Sequence, residues 1–319
     1  MFNKTLAAIP AVILAATFAA HAQAPAGGQA PAGGAGAQNR GNAPPPAPMA
    51  IKQVKPGLYM VTGFGGNSTV RVGSTGVILV DTKNLGEGPY NDLVAQIKTV
   101  TNQPVKYVFI THVHQDHSGN IGPFIRGGAT VIAYEGLQKN LQIGGPNGTG
   151  YESAAGKPAL PSEVYKKDRE VSVGNAKAHA YHFASGHTGG DTIVYFPDLK
   201  VVSLGDEFVA QPPNADYPFG GSILGWSKSL SEVLKLDFDT AIPGHGNDPM
   251  TKADVQAFQK KIDLIGKKAI ELRKKNVAKD QIRAQIQAEV PEMAPWMMNG
   301  IVNDMRLDAF YDELTVAAK

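Results

Sequence analysis

The chain has 319 residues, of which 43% are hydrophobic and 18% charged, with a formal charge of +2. This is enough apolar material for one large domain or two small ones. The near balance of charge excludes a nucleic-acid binder held by a basic surface, and the absence of cysteine leaves packing and bound metal, not disulfides, to stabilise the fold.

In chain order, the first element reads as an export signal. Lys4 precedes an apolar stretch over residues 6–20, interrupted by Pro10, and the stretch ends in Ala20-His21-Ala22, a small-x-small signal-peptidase pattern. A membrane anchor is the competing reading, but the stretch is short for the roughly 20 residues that span a bilayer, and no basic stop-transfer cluster follows. The expectation is export to the periplasm or medium, cleavage after Ala22, and no membrane association afterwards. No cysteine is available to carry a lipid. Residues 23–48 are built mainly from Ala, Pro, Gly and Gln, with Ala-Pro-Ala-Gly-Gly occurring twice, and predict a disordered tether. The folded part is expected to begin near Ile51, where Val54, Leu58, Tyr59 and Val61 start a strand-like pattern. The expected layout is a signal peptide over 1–22, a tether over 23–50, a main folded domain over 51–250 and a helical extension packed on it over 251–319.

Short β-rich runs then recur, each ending in polar residues: 77–80 before Asp81, 107–110 before a histidine cluster, and 201–204 before Asp206. Two further runs, 193–196 and 240–242, lie beside His187 and His245. Loops at strand ends are where sites are usually built. Helical spacing is present at 90–100, where Leu93, Val94, Ile97 and Val100 share a face, and again at 227–235, 253–275, 280–290 and 302–314. The basic run Arg273-Lys274-Lys275 reads as a solvated helix face. Gly/Pro-rich stretches at 144–150 and 156–161 are either a functional flap or a tolerated insertion.

Five of the eight histidines fall into one ordered set: His112, His114 and His117, then His187, then His245. His112 and His114 are two apart, so in the loop after a strand both can turn toward one ion, while Asp116 and His117 can serve a second. Imidazole suits zinc, and a carboxylate adds charge and can bridge two metals. The bland alternative, an exposed loop rich in histidine, is weakened by the distant partners. His187 sits among Gly186, Gly189 and Gly190, Asp206 follows Gly205, and His245 lies between Gly244 and Gly246. His179 and His182, three apart in a strand-like stretch, read as structural or surface residues.

These features resemble the metallo-β-lactamase fold superfamily of metal-dependent hydrolases. The resemblance runs from Gly57 to Gly246 through Val80-Asp81-Thr82, the His-x-His-x-Asp-His motif, Gly186-His187-Thr188, Gly205-Asp206 and Pro243-Gly244-His245. It implies an α/β (α+β) fold, a four-layer αββα sandwich with a helical C-terminal extension. It also implies that His112, His114 and His187 hold a first metal, that Asp116, His117 and His245 hold a second, and that Asp206 bridges them or completes the second site. Two zinc ions per chain are expected, although a site of nitrogen and oxygen donors also accepts iron or manganese. Asp81 is expected to orient ligand histidines through hydrogen bonds, or else to serve as a turn residue. Asp116 is the expected catalytic residue, orienting a hydroxide between the metals and receiving its proton.

Rival chemistries have less support. Neither Ser185 nor Ser203 lies in Gly-x-Ser-x-Gly, and Gly63-Phe64-Gly65-Gly66 lacks the Lys-Ser/Thr of a phosphate loop. That segment reads instead as a hairpin tip near the site mouth, with Phe64 offered to an apolar substrate. Export and the 19-residue step from His187 to Asp206 favour a β-lactamase-like cleavage of an amide or ester in a small-molecule substrate. Subclass B1 enzymes, however, have cysteine where Asp206 stands and a carboxylate-receiving lysine where Val209 stands. Gly205-Asp206-Glu207-Phe208 instead resembles glyoxalase II, so a thioester or lactone hydrolase is the alternative. A nuclease lacks the basic surface it needs. A non-catalytic periplasmic metal-binding or partner-binding protein would be favoured by a missing ligand, yet every ligand position is filled.

Overall fold

The computed structural model describes residues 48–143, 159–293, 296 and 306–317. The expected signal peptide and most of the tether, the stretches at 144–150 and 156–158, and the first part of the helix expected at 302–314 lie outside the described residues.

Two sheets form the centre. The first runs in sequence order through β1 (Ala50–Lys55), β2 (Leu58–Thr62), β3 (Ser68–Gly73), β4 (Gly76–Val80), β5 (Val105–Phe109), β6 (Thr130–Tyr134) and β7 (Glu163–Tyr165). Its first four strands pair antiparallel, and β4 to β7 pair parallel. The parallel crossovers carry α1 (Glu87–Lys98), α2 (Gln115–Ser118), α3 (Ile121–Arg126) and α4 (Glu135–Ile143). The second sheet comprises β8 (Asp168–Val173), β9 (Ala176–Tyr181), β10 (Ile193–Phe196), β11 (Val201–Ser203), β12 (Thr240–Ile242) and β13 (Met250–Thr251). Its strands pair antiparallel except for the parallel pair β11 and β12.

Side-chain alternation divides the core into three layers of contact. Along β4, Ile78 and Val80 face the second sheet and meet Ala178, Val194, Phe196 and Val201. Val77 and Leu79 point the other way and pack with Leu93, Phe124, Leu137 and Leu141 of α1, α3 and α4. The outer face of the second sheet, with Ile193, Val202 and Ala241, is covered by Trp226, Leu230, Phe258, Ile262, Ile282, Ile286, Phe310 and Leu314. Those residues come from α5 (Ile223–Val233), α6 (Lys252–Lys274), α7 (Lys279–Glu289) and α8 (Leu307–Ala317). Helix, sheet, sheet and helix therefore stack as the αββα sandwich.

The expected strands appear within a residue or two of the sequence pattern, and 193–196 and 240–242 match it. The helix read at 227–235 begins earlier. Ser222 caps it by accepting from Gly225 N, and this side-chain bond lies upstream of the apolar stripe. The first turn of α5 is also tied to α8. Glu313 accepts from Leu224 N at 3.1 Å and from Tyr217 Oη at 2.7 Å, and it bonds the Ser222 hydroxyl as well. A carboxylate at a helix N-terminus satisfies amides that have no intrahelical partner. Replacing Glu313 by alanine is expected to destabilise the protein by roughly 1–3 kcal/mol, read as a fall in urea midpoint with unchanged slope.

Candidate metal centre

All the candidate ligands lie at one end of the sandwich. Parallel pairing sends the C-terminal ends of β4 and β5 to one rim of the first sheet, and that of β11 and β12 to one rim of the second. Because β10 runs antiparallel to β11, the turn before β10, which carries His187, reaches the same place. Backbone strain marks the rim: Asp81 and Lys83, just after β4, have φ of 63° and 67°.

The side chains gather as His112, His114, His187 and Asp206 in one group and Asp116, His117 and His245 in another, with one donor atom from each residue within 4.8 Å of the others in its group. His112 Nε2 lies 3.1 Å from His114 Nδ1, and His187 Nε2 lies 2.9 Å from that same atom. His117 Nε2 and His245 Nε2 are 3.3 Å apart, and Asp116 Oδ2 is 3.3 Å from His245 Nε2. Asp206 stands between the groups. Its Oδ1 is 3.2 Å from His117 Nε2 and 3.4 Å from His245 Nε2, while its Oδ2 is 3.7 Å from His187 Nε2.

Bonds on the far side of the rings of His112, His114, His117 and His187 decide which nitrogen faces inward. His117 Nδ1 meets Asp81 Oδ2 at 2.7 Å. Thr111 donates its amide and its hydroxyl to the two oxygens of Asp81, each at 2.7 Å, so its oxygen is left to accept from His112 Nδ1 at 3.0 Å. His114 Nε2 is bonded to Asp216 Oδ2 at 2.8 Å, and His187 Nδ1 donates to the Asn214 carbonyl at 2.7 Å. Each outer bond fixes a tautomer and aims the opposite nitrogen's lone pair into the centre.

The donor set fits metal. Converging imidazole lone pairs at these separations repel unless a proton or cation lies among them, and the buried Asp206 Oδ1 makes no well-aligned hydrogen bond. Burial, then the charge of neighbouring histidines, holds His112 and His187 below the ordinary imidazole range. Burial acts in the same sense on His117 and His245, but carboxylates overcome it. Asp116, Asp206 and Asp81 raise His117 well above its usual value, and Asp206 and Asp116 raise His245 to about 9. Burial opposes ionisation of Asp116 as well, yet His117 and His245 bring it down to about 2. The donors are oxygen and nitrogen, with no thiolate, a set suited to zinc and open to iron or manganese.

Several supporting residues carry no local sequence signal. Asp216 is 102 positions from His114. Lys83 is fully buried, its ammonium bonded to the carbonyls of Val61 at 2.6 Å and Gly66 at 2.7 Å. Burial lowers it to about 7 despite Asp81 and Asp116. Glu207 is buried behind the His187 turn, and burial followed by Asp191 raises its carboxyl well above the usual range. Asp191, visible in the motif yet given no role there, accepts from the amides of Gly186 and Thr188 and fixes that turn. Arg306 belongs to the helical extension, far in sequence from every motif.

Gly63 to Gly66 do form the connection between β2 and β3 beside the centre, with Gly66 N bonded to the Asp116 carbonyl at 3.1 Å. Phe64, in that segment, is half-buried and packs with one side on the core between the first sheet and its helices. His179 bonds Asp168 and Tyr181, and His182 stacks on Tyr134 and bonds the Asp191 carbonyl, so neither joins the centre. A cavity of about 430 Å3 opens over the centre, lined by His114, Asp116, Asn84, Asn214, Asp216 and Arg306 among others.

Residues 61–245 match the family model of the Metallo-beta-lactamase superfamily, and the chain belongs to that family. It is 26% identical to metallo-beta-lactamase IND-1 of Chryseobacterium indologenes over 194 residues, 59% of this chain and 75% of that one. It is 32% identical to a metal-dependent hydrolase of Thermofilum pendens over 172 residues, 50% and 71% of the two chains. A metallo-beta-lactamase from Pontibacter korlensis shares the fold with a TM-score of 0.57 at 19% identity, over 67% of this chain and 99% of that one. The protein is accordingly a metal-dependent hydrolase.

Gly66 has no room for a side chain, since a Cβ there would stand 2.1 Å from the ring of His117. Gly66→Ala is expected to cost roughly 1–3 kcal/mol through overpacking and to reduce metal bound per chain, measured by thermal melting and elemental analysis.

Proposed function

We propose that the protein is an exported, dinuclear zinc hydrolase that cleaves the amide or ester carbonyl of a small molecule in a β-lactamase-like reaction. The observation that carries this reading is the pair of donor groups with Asp206 between them, the inward nitrogens of His112, His114, His117 and His187 each fixed by a bond on the ring's outer side. In this reading His112, His114 and His187 would hold one ion, Asp116, His117 and His245 would hold the other, and Asp206 would be shared by the two or complete one of them. Two such cations, when bound, bring the pKa of water near neutrality and polarise a carbonyl.

The chain's own residues divide the remaining work. Asp116 lines the cavity and is held ionised, so it is placed to orient a water molecule and take its proton. Asp81 carries the orientation of His117 directly and of His112 through Thr111. Lys83 holds the Gly66 carbonyl and with it the loop against His117.

A second reading, thioester or lactone hydrolysis, is favoured by one position. Val209 is buried in the helix-side core, so the place where B1 enzymes keep a carboxylate-receiving lysine offers no cation. A non-catalytic metal-binding role is disfavoured because every donor position is filled. Export rests on the N-terminal sequence pattern, and no helix among the described residues is long and apolar enough to cross a membrane.

Metal analysis of the mature protein, followed by assays on a chromogenic cephalosporin, a lactone and a thioester, tests the reading. Two equivalents of zinc with cephalosporin turnover are expected. Turnover of the thioester alone would remove the β-lactamase-like reaction, and metal without any turnover would support the binding-protein role. His117→Ala should lower kcat/KM by about 100-fold or more while one equivalent of metal stays bound; unchanged turnover would refute the dinuclear centre. Because His117 and His245 are protonated at neutral pH before metal enters, zinc uptake at pH 7 should release protons. Apparent affinity should therefore rise with pH until about 9, measured by calorimetry in buffers of different ionisation enthalpy.

A further inference from the structure

We propose that Arg306, delivered by the helical extension, is the specificity residue of the cavity and binds a carboxylate carried by the substrate beyond the scissile bond. The inference rests on the hydrolase reading above and narrows its substrate to acyl compounds with a free carboxylate.

The cavity is the space onto which both donor groups open, His114 from one and Asp116 from the other. Its remaining charged lining is Asp216 and Arg306. Both carboxylates are engaged, Asp216 with His114 at 2.8 Å and Asp116 with His245 at 3.3 Å, and against the effect of burial Arg306 adds to His114 and His187 in holding Asp216 ionised. Arg306 is the one permanently cationic side chain among the described residues that line this space. A neutral substrate gains nothing from such a charge, whereas an anionic one entering past two ionised carboxylates needs it.

Arg306 is also held firmly. It precedes α8, whose Phe310 and Leu314 are fully buried in the helix-side core and whose Glu313 bonds the first turn of α5. Its carbonyl accepts from Phe310 N at 2.9 Å, and its Nε donates to the Ala215 carbonyl at 2.8 Å. That bond uses one of the five donors of a guanidinium and anchors the group at the 214–216 loop that lines the cavity. A fixed planar fork of donors is the geometry that takes a carboxylate through two parallel hydrogen bonds. Preorganisation of this kind strengthens binding because little rotamer freedom remains to be lost.

The simpler role for Arg306 is to hold the 214–216 loop, which positions His114 and His187, and the test must separate the two. The full mature protein and its Arg306→Ala and Arg306→Gln variants would be compared; glutamine can still donate to Ala215 but carries no charge. The substrates are a chromogenic cephalosporin and its carboxyl methyl ester. A pair that needs no turnover, N-benzoylglycine and N-benzoylglycinamide, is followed by ligand-observed NMR. Both variants should raise KM for the free acid at least about tenfold, leave kcat within about twofold, leave the ester unchanged, and weaken N-benzoylglycine but not its amide. Equal losses on both members of a pair would overturn the proposal in favour of a loop-holding role, and no loss on either would overturn it outright. If the alanine variant does not fold, the glutamine variant decides. If the wild-type protein turns over neither cephalosporin, the hydrolase reading fails on that substrate, and the binding pair still decides the role of Arg306.

Discussion

The centre depends on one unfavourable contact: the inward nitrogens of His112 and His187, two buried imidazoles held below their ordinary range, each converge on His114 Nδ1 at 3.1 and 2.9 Å. Left to themselves such rings would rotate apart. They are prevented from doing so by the outer bonds from Asp81, Thr111, Asp216 and the Asn214 carbonyl, each of which would be broken by rotation. The repulsion is thus stored in the fold and relieved by a cation. The same arrangement makes the second group electrostatically distinct from the first, because three carboxylates surround His117 while His112 has mostly other imidazoles as neighbours.

The sandwich supplies the rigidity that this requires. Each sheet is held on both faces, by the other sheet within and by helices outside, so the rims that carry the loops cannot drift independently. Close approach between the sheets is also what excludes side chains from Gly66 and Gly205, where an added Cβ would strike His117 and Thr111. At Gly205 a φ of +50° adds a second reason for glycine. The strain at Asp81 and Lys83 belongs to the same economy of space, since a left-handed backbone turns both side chains inward directly after a straight buried strand.

Much of this was legible in the sequence because it is local. Strand ends, the histidine cluster and the glycine-flanked His187, Asp206 and His245 are each encoded within a few residues, and their common location follows once the runs are strands. Asp81 could be assigned a role by its position after a buried run. What could not be read depends on contacts across the fold. Asp216 acts on His114 from another sheet rim, Thr111 acts as a relay only because Asp81 already claims its proton, and Lys83 looks like any polar residue after a strand. Phe64 is a further case: the glycines on either side mark the turn, but that the ring packs partly on the core depends on helices distant in sequence. The start of α5 was missed because it is set by a hydroxyl cap and by a glutamate from the chain's last helix.

Asp206 has a consequence of a different kind. With a carboxylate at the junction of the two donor groups, and no cysteine anywhere in the chain, the donor set contains no sulfur atom. Peroxide cannot convert a ligand to a sulfenic or sulfinic acid, and no thiol can be lost to a mixed disulfide. The donors themselves are therefore indifferent to thiol oxidation, and no reductant is needed to keep them able to take up metal in an oxidising medium.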